Sequence, residues 1–188
     1  MSRTTAYRVL GPTWGVAVDL TADSEVVAAP PHAGDRVGAR TWLDVAPVLD
    51  HPPADRTGLR LTPAEGGRLR QGAGLAAGAV EAVLPPGRHV VLTVHRVLFP
   101  EADFRAEGLI GAMLTWCEEE FGIDLPGGAV VFDRDADRFV HAWEEPGPVR
   151  DLARVRVVRP ARDLLGHPLP VRARRGRAQG DATGRQQP

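Results

Sequence analysis

The chain has 188 residues, 43% hydrophobic and 25% charged, with a formal net charge of −1; that is ordinary globular composition and excludes collagen, a coiled coil or full disorder. A domain of about 150 residues buries roughly 70% of its unfolded surface, so a core needs neither metal nor disulfide. The single cysteine, Cys117, excludes a disulfide framework and a multi-cysteine zinc site.

Apolar runs such as Val90-Val91-Leu92 fall far below the roughly 20 residues of a membrane span. Met1 to Trp14 lacks the apolar stretch of a signal peptide. The expected location is therefore cytoplasmic, without membrane contact. Every cation is arginine, and the cations are unevenly placed. Met1 to Gly147 carries 13 Arg against 21 Asp plus Glu, a net of −8, while Pro148 to Pro188 carries 10 Arg against 3 Asp, a net of +7. A near-neutral total conceals an acidic body and a basic tail.

In chain order, Tyr7–Leu10 and Trp14–Leu20 read as strands, the second alternating Trp14, Val16, Val18 and Leu20 on one face. Thr21-Ala22-Asp23-Ser24 has turn chemistry, and Glu25–Ala29 returns as a third short strand. Thr41–Leu49 reads as a short helix limited by Pro47, and Gly58–Thr62 as a short strand.

Thr62-Pro63-Ala64-Glu65 forms a capping box with proline at the first helical position. The helix it opens should end near Leu84, before Pro85-Pro86-Gly87. Gly66, Gly67, Gly72, Gly74 and Gly78 lie inside it. Each costs about 1 kcal/mol relative to alanine unless close packing compensates.

His89–Leu98 is the strongest strand signal. Val90, Leu92, Val94 and Leu98 share one face, with Arg96 as an exception. A second helix is expected to open at Pro100-Glu101-Ala102-Asp103 and run to Phe121. Ile110, Met113, Leu114, Cys117 and Phe121 form its apolar stripe, and Glu118, Glu119 and Glu120 face water at a fraying end. Ala129–Asp133 and Arg138–Trp143 make a hairpin, and Asp151–Arg159 a last weak strand.

Three strands, a helix, a strand and a helix thus follow one another between Trp14 and Phe121. That order resembles the two-layer domain of elongation factor G domain IV and of galactokinase-type and homoserine kinase-type enzymes. The strand His89–Leu98, a short loop and Asp103-Phe104 entering a helix are most similar to the translation-factor version. The resemblance implies an α+β two-layer fold with a mixed or antiparallel sheet and two helices on one face. The kinase version carries a Gly-rich loop ending in small hydroxyl residues at the first helix. Glu65-Gly66-Gly67-Arg68 and Gly72-Ala73-Gly74 have no Ser or Thr beside them, which argues against kinase activity. Residues 5–147 are the expected domain, 148–166 an extension, and 167–188 a disordered Arg-rich tail with almost no apolar content.

Few constellations offer chemistry. Gly72-Ala73-Gly74 falls inside a helix, where its N–H groups are already bonded, and so is no dinucleotide loop. Asp133, Asp135 and Asp137 imitate a calcium loop, but Arg138 stands where that loop needs glycine. His89 and His95 share a strand face and could meet His141 around a metal, although no ligand spacing links the two strands. Cys117 sits on an apolar stripe as a packing thiol. Only Ser2 and Ser24 exist as serine nucleophiles. No cofactor or metal is expected.

The one candidate patch gathers His95, Arg96, Asp103, Arg105 and Glu107, where a strand ends and a helix begins. Arg172, Arg174, Arg175 and Arg177 are candidate tail contacts for nucleic-acid phosphate. The expected function is a non-catalytic binding or accessory protein that meets a protein partner. The alternatives are an RNA- or ribosome-associated module, with weak nucleic-acid contact through the tail, and a small enzyme built on Asp103, Glu107 and His95.

Overall fold

A computed structural model describes residues 1–10, 15–52, 55, 57–100, 104–125, 130–133, 138–141, 153–154 and 156–157. Two antiparallel strands, β1 (Arg3–Leu10) and β2 (Gly15–Val27), open the fold. A two-residue β3 (Asp35–Arg36), β4 (Thr41–Asp44) and a single-turn helix α1 (Ala46–Leu49) follow. Then come α2 (Pro63–Val83), β5 (His89–Leu98) and α3 (Gly108–Phe121). The chain continues with β6 (Val130–Asp133), β7 (Arg138–His141), β8 (Ala153–Arg154) and β9 (Arg156–Val157).

Six strands form one mixed sheet in the order β3-β4-β5-β2-β1-β9, and β7-β6-β8 form a second. Only β4 and β5 run parallel in the large sheet; the crossover between them carries α1 and α2. Both long helices pack on one face of that sheet. This is the expected two-layer α+β fold, with β6 and β7 pairing as the expected hairpin. The sheet begins at Arg3 and takes β9 from beyond residue 147. No helix among the described residues is long and apolar enough to cross a membrane.

Burial explains the elements. Val16, Val18, Leu20 and Ala22 of β2 face the helices, as do Val90, Leu92 and Val94 of β5. They meet Leu69, Ala73, Ala76 and Val80 of α2 and Ile110, Met113 and Trp116 of α3. The capping box forms as expected: Glu65 N–H donates to Thr62 Oγ1 at 3.3 Å, and Thr62 N–H donates to the Glu65 carboxylate at 2.7 Å.

Four local expectations give way to tertiary packing. Thr21–Ser24 is no turn but the middle of β2, because Ala22 is fully buried in the core. Thr41–Asp44 is a strand, since Thr41, Trp42 and Leu43 lie in register with Val90, Val91 and Leu92. Helix is left only to Ala46–Leu49, where Asp44 Oδ1 accepts from Ala46 N–H at 2.9 Å and Pro47 sits in the tolerant first turn. Gly58–Thr62 forms no ladder; Leu59 and Leu61 each donate one backbone bond, to Val97 and Val48.

The fourth concerns α3, which starts at Gly108 rather than near Asp103. Phe99 and Phe104, which flank that connection, stack with ring centroids 3.5 Å apart. A side chain on Gly108 would meet Val16 Cγ1 at 2.5 Å, so glycine lets the helix start lie directly on β2. Its acidic end does not simply face water. Thr5 Oγ1 donates to Glu119 at 2.7 Å, Arg3 and Ser24 both donate to Glu120, and Leu125 N–H donates to Glu118. Gly122, in the left-handed region at φ 63°, closes the helix.

Candidate functional site

Among the described residues the two long helices cover one face of the large sheet only, and the chemistry of the opposite face starts from a break in the β2–β5 ladder. Thr21 lies opposite Arg96 and Ala22 opposite Val94, so His95 is an extra residue, a β-bulge on β5. The bulge explains Arg96. In an unbroken strand Arg96 would follow Val94 into the core. With one residue inserted, His95 and Arg96 both stay on the uncovered side, and Val97 takes the buried position at 0% exposure.

Three side chains of β2 receive this face. Asp23 Oδ2 lies 2.9 Å from His95 Nε2. Thr21 Oγ1 accepts from Arg96 Nη2 at 3.4 Å and shares a hydrogen bond with Thr4 Oγ1 at 2.8 Å. Asp19 Oδ1 accepts from Arg8 Nη2 at 2.5 Å. Arg96 also reaches the Thr57 carbonyl at 3.5 Å, in a segment that carries a second imidazole–carboxylate pair. There His51 Nε2 stands 3.0 Å from the Asp55 carbonyl oxygen and 3.8 Å from its carboxylate. Thr57 N–H donates to Asp55 Oδ1 at 2.8 Å and, with its side chain and nearby His51, holds that carboxyl below its ordinary range.

The candidate patch therefore divides. His95 and Arg96 stand together on the uncovered sheet face. Glu107 stands at the start of α3, on the helix side, with its carboxylate 3.7 Å from Arg68 of α2. Arg105 is exposed, and its carbonyl accepts the first N–H of α3. Asp103, the four tail arginines, Asp135 and Asp137 lie outside the described residues. Sequence reading missed Asp23, Asp19, Arg8 and the His51–Asp55 pair. The available signal was Asp19, Thr21 and Asp23 at period two, which puts three polar groups on one strand face.

Reactive groups are scarce. Cys117 is fully buried, and burial, with smaller contributions from Glu118 and Glu120, drives its thiol well above the usual range, so the thiolate is disfavoured. Burial likewise raises the Tyr7 phenol. Among the described residues no group of three or more His, Cys, Asp or Glu could hold a metal ion. His141 belongs to β7, in the other sheet from His89 and His95. An open depression of about 470 Å³ is lined by Leu49, Asp50, Arg60, Leu61, Thr62 and Pro63, none of them from the patch.

The face opposite the helices thus carries the pairs His95–Asp23, Arg8–Asp19 and Arg96–Thr21. Comparison with protein-family models, curated proteins and solved structures finds no match.

Proposed function

We propose that this chain is a non-catalytic binding or accessory protein, with the uncovered face of its large sheet as the contact surface for a protein partner. One observation carries the reading: side chains of that face pair with each other across β1, β2 and β5, Arg8 with Asp19, His95 with Asp23 and Arg96 with Thr21. Mixed, paired charge on a sheet face suits a partner that offers hydrogen-bonding groups of both kinds. Such pairs contribute orientation and selectivity more than raw affinity.

The test places a photo-crosslinking residue at Thr93, at the centre of the face, or at Ala79 on α2, in the full chain in its native cells. A discrete protein adduct from position 93 and none from position 79 is the expected result. Adducts from position 79 alone, or none from either, would overturn the reading.

The second reading is an RNA- or ribosome-associated module. It is supported by the succession of three strands, β2 to β4, then α2 after the single-turn α1, then β5 and α3, the kind of order on which the translation-factor resemblance rests, and by the +7 charge of residues 148–188. A nuclease-sensitive adduct at position 93 would move this reading to first place.

A further inference from the structure

We draw no further inference here: the strongest candidate, the outward face of α2 that carries Gly67, Leu75 and Gly78, is a stripe of small and aliphatic residues, and nothing among the described residues shows what covers it.

Discussion

His95 and Asp23 meet at 2.9 Å although they are not register partners, since Asp23 lies opposite Thr93. Their contact follows from the bulge, which sets an extra residue on the uncovered face. The geometry makes an uncommon prediction about deletions. Removing His95 restores an unbroken alternation, with Val94 in, Arg96 out and Val97 in. It sacrifices one half-exposed pair, worth about 0–1 kcal/mol. The chain lacking His95 should therefore fold, with stability lowered by no more than about 2 kcal/mol. Removing Thr93 instead turns Val94 outward and His95 into the core, and that chain should fail to fold. Urea unfolding of the two deletion proteins decides the matter; equal damage from both would mean that the bulge is not where the register places it.

The glycines of α2 separate into two kinds. A Cβ on Gly72 would lie 2.9 Å from both the Ile110 carbonyl oxygen and Met113 Cβ, so this glycine sets how closely α2 and α3 approach. A Cβ on Gly67 or Gly78 would meet nothing within 4 Å. Gly67→Ala and Gly78→Ala should each stabilise the protein by about 0.5–1 kcal/mol, through helix propensity and a less flexible unfolded chain. Gly72→Ala should cost about 1–3 kcal/mol through overpacking against backbone. Thermal melts of the three single variants read these signs directly. A destabilising Gly78→Ala would reveal a contact that the fold does not contain.

Tyr7 is only 5% exposed, and its hydroxyl has no hydrogen-bond partner among the described residues. Its ring lies against α3 at Gly111, where a Cβ would come within 2.3 Å of Tyr7 Cζ. A buried polar group without a partner costs about 1–3 kcal/mol. Tyr7→Phe keeps the ring and removes that group, so it should raise stability by about 1 kcal/mol. Gly111→Ala, which drives a methyl into the ring, should lower it. Denaturant midpoints at constant slope give both values, and a marked loss in Tyr7→Phe would show that the hydroxyl is satisfied.

The fold was legible where the signal was local. Thr62, Pro63 and Glu65 specify the start of α2 within four residues, and His89–Leu98 alternates strongly enough to stand alone. It was illegible where distant partners decided. Thr41–Asp44 is a strand only because β5, nearly fifty residues later, supplies its parallel neighbour. Thr21–Ser24 has turn chemistry that is overridden by burial of Ala22 and by bonds from Asp23 to His95 and from Ser24 to Glu120. The site suffered in the same way. Arg96 broke the apolar pattern of β5 in plain view, but only the strand opposite shows that a bulge, and not a buried arginine, resolves the conflict. Glu107 looked close to His95 in the chain, while the sheet lies between them.

The domain limits can be checked by truncation. The last described strand pair joins Val157 to Val9, and the chain beyond Gly166 holds few apolar residues and many arginines. On that composition the segment is expected to add little to the core. Ending the chain at Gly166 should therefore change the melting temperature by less than about 2 °C, a shift equivalent to about 0.5–1 kcal/mol in a domain of this size. A larger fall would place residues beyond 166 within the folded body.

Nucleic-acid binding supplies the sharpest division between the two proposed functions. Arg172, Arg174, Arg175 and Arg177 can release only a few counterions from a phosphate backbone, and the segment after residue 148 contains no Tyr, Phe or Trp to stack on bases. The acidic body, at −8 over residues 1–147, repels the same phosphates. Any RNA affinity should then be non-specific, about 10⁻⁴–10⁻⁶ M at physiological salt, and should fall steeply as salt is raised. Fluorescence titration of the full chain with labelled RNAs of unrelated sequence, at two salt concentrations, measures both properties. Changing the four arginines to glutamine should weaken what binding there is, because they are four of the ten arginines in residues 148–188. Tight binding that survives high salt, discriminates between sequences and persists without the four arginines would place the RNA contact on the folded body. That outcome would displace the protein-binding reading in favour of the ribosome-associated one.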